Sequence, residues 1–293
     1  MKHLQYKRIE VEPLSGSIGA VIRGVDCGKN LTDSVIEEVR HAWLQHLVIF
    51  FRDQQLRPDQ QLAFARRLGK VVAYPMVKGL PDFPEVVPVI KYPNEKFNFG
   101  GLWHADTTYL EEPPMAGLLL AREVPPVGGD TLFANMYLAY ETLSKGMQSL
   151  VEGLTVVQSS AKPDAARSRE ERVKANAKQE GRLLVAEHPA VKLHPETNRK
   201  ALYVNFGHSV RFKELTEEES QPILNYLFRH QVRPEFTCRF RWTEGAMALW
   251  DNRCTQHNPM NDYHGFTRVM HRISIGYIAA WDFGSGIRRR GYE

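Results

Sequence analysis

The stretch Gly100-Gly-Leu-Trp-His-Ala-Asp-Thr-Thr-Tyr-Leu110 decides how the rest of the chain is read. Taken as an extended strand, its side chains alternate between faces, so His104 and Asp106 point the same way and can grip one metal ion together. A lone His-x-Asp is weak evidence in a chain with 11 histidines. It gains meaning if the fold supplies a third ligand from a strand far along the chain, as rolled β-sheets do.

Outward from that stretch the pattern is one of many short strands. Lys7 to Val11 and Gly19 to Ile22 are β-branched runs separated by Pro13, Gly16 and Gly19, and they predict two strands joined by a turn. Thr32, Asp33 and Ser34 offer capping side chains before Val35, Ile36, Val39 and Trp43, which recur at helical spacing. Leu47 to Phe51 is a continuous apolar run, short enough for an interior strand. Pro58 opens a second helix that Gly69 ends.

Val86 to Ile90, Ala116 to Ala121 and the segment holding Thr131, fed by a Gly128-Gly129 turn, predict further strands. Ala139 to Val151 predicts one helix. Strands resume at Leu183 to Ala186, Ala190 to Leu193 and Ala201 to Val204, and Thr216 with Glu219 forms a capping box before Ile223, Leu224, Leu227 and Phe228. Phe236 to Trp242, Ala246 to Trp250 and Val269 to Ile278 complete the strands.

The strict alternation of a doubly wound sheet is missing. The expected architecture is mainly β with flanking helices around a double-stranded β-helix (jelly-roll) core, in a single domain over 1–293. Ala165 to Arg182 is nearly free of apolar residues and predicts an exposed insertion, at about 158–185, able to act as a lid.

With 43% apolar and 25% charged residues over 293 positions, the chain can bury a sizeable core. A net charge of +4 with no basic run interleaved with aromatics argues against nucleic-acid binding. The dense basic run Arg288 to Arg290 reads as a solvated tail. Cys27, Cys238 and Cys254 are odd in number and widely spaced, which predicts a reducing compartment and no thiolate metal site. Met1 to Glu10 is too polar for a signal peptide, and no uncharged run approaches the roughly twenty residues of a membrane span. A cytoplasmic protein with no membrane partner is expected.

The third ligand is found in Trp250-Asp-Asn-Arg-Cys-Thr-Gln-His257, where a strand ends in a polar loop carrying His257. Two imidazoles and a carboxylate form a facial triad for Fe(II), leaving three positions open for a chelating 2-oxo acid and O2. Arg268 and Arg272 lie four apart on a strand and share a face, each offering a planar fork for a carboxylate or sulfonate. The apolar residues of the other face, Val269, Ile273, Ile275 and Tyr277, do not decide which face is inward.

Trp103-His-Ala-Asp-Thr-Thr-Tyr109, Gly128-Gly-Asp-Thr-Leu-Phe-Ala134, Trp250 to His257 and Arg268-Val-Met-His-Arg272 resemble, in order and spacing, the iron(II)- and 2-oxoglutarate-dependent taurine and aryloxyalkanoate dioxygenase family. Val11-Glu-Pro-Leu-Ser-Gly-Ser-Ile-Gly-Ala-Val-Ile-Arg-Gly-Val-Asp26 is similar to the family's amino-terminal signature, so the resemblance runs from about Ile9 to Gly276.

It implies His104, Asp106 and His257 as iron ligands, and Thr131 and Arg268 as the residues holding the distal carboxylate of 2-oxoglutarate. It implies for Arg272 a catalytic place beside both the cosubstrate and the anionic group of the prime substrate. Asp106 further implies hydroxylation rather than halogenation, because related halogenases carry a small residue there.

Taurine-binding members place an Asn where this chain has Gly100 and a His where it has Tyr74, which points away from taurine. Tyr74, Gly100 and Thr107 are the expected substrate-facing positions. The patterns Leu202-Tyr-Val-Asn205 and Phe236-Thr-Cys-Arg239 resemble members acting on larger anionic substrates. The implied reaction hydroxylates an unactivated C–H of a small anionic substrate (sulfonate, sulfate ester or aryloxyalkanoate type) and releases succinate and CO2, in a homo-oligomer, dimer or tetramer. The competing reading is a cupin-like metal-dependent hydrolase or isomerase with the same three ligands.

His188 and His194, each followed by Pro, read as turn residues.

Overall fold

A computed structural model of the chain describes residues 6–75, 77–163, 165 and 183–277. Of the expected lid at about 158–185, residues 164 and 166–182 lie outside the described residues, as do Arg288 to Arg290. The first half runs β1 (Glu10–Pro13), β2 (Ala20–Arg23), α1 (Asp33–His46), β3 (Val48–Phe51), α2 (Pro58–Leu68), β4 (Lys70–Val72), β5 (Val87–Lys91), β6 (Ala116–Glu123) and β7 (Thr131–Asn135). Then come α3 (Met136–Glu141), α4 (Lys145–Glu152), β8 (Thr155–Ser159), β9 (Val185–Pro189), β10 (Val191–Leu193), β11 (Lys200–Leu202), β12 (Ser209–Phe212) and α5 (Glu217–His230). A 3-10 turn at Pro234–Phe236 leads into β13 (Thr237–Phe240), β14 (Met247–Asp251), β15 (Thr255–Pro259) and β16 (Arg268–Gly276).

The fold is mainly β, with its strands in separate sheets rather than one closed barrel. Among the described residues the largest sheet has the order β1-β2-β3-β14-β6-β16-β4, with β5 also on β16; a second has the order β13-β7-β15. Only β2 and β3 pair in parallel in the large sheet, which α1 makes possible by crossing between them.

Alternation along β3 and β14 explains why both read as unbroken apolar runs. Phe50 and Trp250 face Phe133 of β7 and Phe240 of β13, whereas Ile49, Phe51, Met247 and Leu249 face Trp43 of α1 and Leu62 of α2. The large sheet is thus buried on both faces, helices on one side and the second sheet on the other. Phe50 and Phe240 stack with ring centroids 3.9 Å apart.

Two sequence expectations need correction here. Ala139 to Val151 is two helices, not one, because Ser144 caps a fresh start by accepting from the Met147 N–H. The capping box at Thr216 forms, with Glu219 N–H on the Thr216 hydroxyl and Glu219 Oε2 accepting from Thr216 N–H, but Thr32 caps α1 by position only, with no side-chain hydrogen bond.

Gly117 in β6 is paired with Trp250 in β14. A Cβ at 117 would stand 2.1 Å from Trp250 Cζ2. Gly117→Ala is therefore expected to cost about 1–3 kcal/mol of stability by overpacking, read as a lower thermal midpoint. A midpoint equal to that of the unchanged protein would show that the indole has room to move.

Candidate active site

The stretch from Gly100 to Leu110 is not a strand. Its one β-bridge is between His104 and His257, with His104 N–H donating to His257 O at 3.1 Å and His257 N–H donating back at 2.9 Å. A turn begins at Asp106, and Thr107 takes a left-handed φ of 46°. For a β-branched residue that conformation is strained. The single bridge sets His104 against β15, and the turn brings the Asp106 carboxylate round to the same point.

The geometry is close. Asp106 Oδ1 lies 3.6 Å from His104 Nε2 and 3.8 Å from His257 Nε2, and one ligand atom from each residue falls within 4.8 Å of the others. His104 Nδ1 donates to Leu102 O at 2.7 Å, which leaves the Nε2 lone pair facing Asp106. Burial, then the neighbouring His104, pushes His257 down to about 3 against the pull of Asp106, so its ring is neutral at physiological pH. Burial alone would raise the Asp106 carboxyl, but Arg272, His257 and His104 hold it below the usual carboxylate value. Two imidazoles and a carboxylate, buried and converging, suit a divalent iron ion.

A second convergent group, His194, Asp251 and Cys254, does not suit a metal. Both Asp251 oxygens are held by Arg253, at 2.7 and 2.6 Å, and burial raises the Cys254 thiol well above its ordinary value.

β16 settles the face that the sequence left open. Arg268, Met270 and Arg272 share a side, and Met270 packs in the core between the two sheets, so both arginines point inward and are buried. Arg272 Nη2 stands 2.8 Å from Asp106 Oδ2. The approach lies off the hydrogen-bond direction, so both atoms retain capacity for another partner. Arg268 Nε and Nη2 have no hydrogen-bond partner among the described residues. Trp242 joins Arg268 to Thr131: its ring centroid is 5.7 Å from the guanidinium carbon and its Nε1 donates to Thr131 Oγ1 at 2.9 Å.

Tyr74, Gly100 and Thr107 line one cavity with His104, Asp106 and His208. The Arg272 guanidinium lies 5.0 Å from the Tyr74 ring centroid. Gly100 has φ 69°, and a Cβ there would press on His104 Cε1 at 3.0 Å, so a side chain such as Asn could not be placed on this backbone without shifting His104. The Thr107 hydroxyl is buried without a hydrogen-bond partner among the described residues.

Several residues escaped the sequence reading. Asn252 accepts from Asp106 N–H at 2.7 Å and donates to Asp106 O at 3.0 Å, clamping the backbone of the carboxylate. Its signal was its place between Asp251 and Arg253 in the His257 motif. His188 is a strand residue in β9, not a turn residue, and its Nε2 donates to Thr108 O and Leu110 O, tying down the turn after Asp106. His194, which does lie in a turn, holds Asp251 at 3.0 Å.

The sequence over residues 10–274 matches the family described as taurine catabolism dioxygenase TauD, TfdA family. The chain belongs to the TauD/TfdA family. An alpha-ketoglutarate-dependent sulfate ester dioxygenase of Pseudomonas putida is 35% identical over 275 residues, covering 91% of this chain and 89% of that one.

A putative alpha-ketoglutarate-dependent taurine dioxygenase from Burkholderia xenovorans superposes with a TM-score of 0.79 at 37% identity, over 91% of this chain and 92% of the other. AAD-2, solved with Mn(II) and N-oxalylglycine, superposes with a TM-score of 0.77 at 26% identity, over 92% and 98%. This TauD/TfdA chain is an enzyme, a dioxygenase with Fe(II) as its metal and 2-oxoglutarate as its cosubstrate, and the hydrolase or isomerase reading is not supported. No helix among the described residues is long and apolar enough to cross a membrane.

Proposed function

We propose that this dioxygenase hydroxylates an unactivated C–H of a small anionic organic substrate of the sulfonate, sulfate ester or aryloxyalkanoate type. In the balanced reaction the substrate C–H, O2 and 2-oxoglutarate become C–OH, succinate and CO2. The observation that carries the reading is the convergence of His104, Asp106 and His257 beside two buried guanidiniums, one of which, Arg268, has no hydrogen-bond partner among the described residues at Nε and Nη2. A site that only activated water would leave Arg268 buried for no anion. We place the chemistry in a single domain with a jelly-roll core; the facing sheets and the likeness to TauD-type structures support it.

In this reading His104, Asp106 and His257 hold Fe(II), which when bound supplies the oxidising chemistry. Arg268 and Thr131 take the distal carboxylate of 2-oxoglutarate. Arg272 steadies Asp106 and, with atoms to spare, faces the anionic group of the prime substrate. Tyr74 and Thr107 orient that substrate, and the buried, Trp- and Phe-lined surroundings of His257 exclude water. Hydroxylation of a carbon bearing a sulfate-ester oxygen would yield an unstable hemiacetal-like product that collapses to aldehyde and sulfate. Buried, unpaired Cys27, Cys238 and Cys254 support action in the cytoplasm.

Two measurements test this. Anaerobic addition of Fe(II) and 2-oxoglutarate is expected to give a weak visible charge-transfer band that His104→Ala lacks. Succinate release over a panel of sulfonates, sulfate esters, aryloxyalkanoates and phosphonates is expected to rise with one anionic class. No band, and no Fe(II)-dependent succinate with any of them, would overturn the assignment.

A further inference from the structure

Lys91 is left over by the assignment above. It ends β5 and is 2% exposed, and its ammonium has no hydrogen-bond partner among the described residues. A lysine is rarely buried so completely, because stripping water from an ammonium is costly unless an anion replaces it. β5 pairs antiparallel with β16, and Lys91 stands directly opposite Arg268. Directly opposed residues send their side chains to the same face, with Cβ atoms about 5 Å apart.

Both cations lean on one ring, Lys91 Nζ at 4.6 Å and the Arg268 guanidinium carbon at 6.0 Å from the Tyr263 centroid. Such contacts offset part of the lost hydration and cannot replace a counter-charge. The acids nearby are engaged elsewhere: Asp130 Oδ2 is bonded to Arg239 Nε at 2.6 Å, and Asp262 Oδ1 accepts from Gly129 N–H at 2.8 Å. Arg268 feels the charge of Asp130 and bonds to Tyr263, yet among the described residues Lys91 Nζ and Arg268 Nε and Nη2 have no hydrogen-bond partner, so two buried cations share one face of the β5–β16 pair with donors left over.

We infer that Lys91 is a second cation for the distal carboxylate of 2-oxoglutarate, its ammonium meeting one oxygen while Arg268 and Thr131 meet the other. The inference rests on the placement of the cosubstrate against Arg268 proposed above. Its consequence is selectivity. A 2-oxo acid without the distal carboxylate leaves two desolvated cations unmet, so the pocket discriminates strongly for a dicarboxylate.

The test is calorimetric titration of the Mn(II)-loaded protein with 2-oxoglutarate and with 2-oxopentanoate, which carries a methyl group where 2-oxoglutarate has its distal carboxylate. Lys91→Met is expected to weaken 2-oxoglutarate by about tenfold or more while shifting 2-oxopentanoate by less than roughly twofold. Lys91→Arg, which keeps the charge, is expected to keep the preference. Should Lys91→Met not fold, Lys91→Gln takes its place against Lys91→Arg.

Equal loss for both acids would mark Lys91 as merely structural, and no loss for 2-oxoglutarate would overturn the inference outright. Arg268→Met separates the two layers. If it abolishes the preference and Lys91→Met does not, the Lys91 assignment alone falls; if neither does, the placement of the cosubstrate falls and takes Lys91 with it.

Discussion

Asp106→Ala is expected to abolish turnover and to weaken metal binding by about a hundredfold or more. The carboxylate is the point at which the site is assembled. It lies within 3.6 Å of His104 Nε2, 3.8 Å of His257 Nε2 and 2.8 Å of Arg272 Nη2. Its removal leaves two imidazoles for the ion and strands the Arg272 guanidinium in the core. Removing one partner of a buried ion pair costs about 3–5 kcal/mol, so the metal-free variant should also melt earlier. Chelator competition measures the affinity, and oxygen uptake measures turnover. A variant that binds Fe(II) as tightly as the parent protein would show that the ion is held elsewhere.

Arg272→Met should act almost as strongly by a different route. Methionine keeps much of the buried volume in β16 but offers Asp106 no cation, and burial works against a lone carboxylate there. Metal affinity is expected to fall by about 10–100-fold. The Michaelis constant of an anionic substrate should rise as well, because the Arg272 guanidinium also lies 5.0 Å from the ring of Tyr74, a residue proposed to orient that substrate. Arg272→Lys restores the charge without the planar fork and should recover metal affinity better than substrate binding. Equal recovery of both would show that Arg272 acts only through Asp106.

These two residues also mark what could be read from the chain and what could not. The run Leu47 to Phe51 announces an interior strand because every position is apolar, and it is indeed buried on both faces. The Thr216 to Glu219 capping box is local chemistry and forms as written. By contrast, the Gly100 to Leu110 stretch looks like a strand and is a bridged loop, since pairing depends on which strand lies beside it. The helix expected from Ala139 is split at Ser144, whose hydroxyl caps a new helix by accepting from Met147 N–H.

Asn252 and His188 bind backbone carbonyls and amides distant in sequence, and such partners have no spacing rule. Lys91 is the extreme case. In sequence it is one lysine near the end of a strand, and only its pairing with Arg268 and its full burial single it out.

The sequence by itself determined the kinds of atoms available: two imidazoles, one carboxylate and two guanidiniums in motifs whose order and spacing resemble a dioxygenase family. Side-chain chemistry and local periodicity are written residue by residue, so they survive in one dimension. The tertiary structure decided which face of β16 turns inward, what holds Asp106 in place and which buried cations keep donors without a hydrogen-bond partner among the described residues. Those are properties of distance and desolvation between segments far apart along the chain, and they come into being only when the sheets pack.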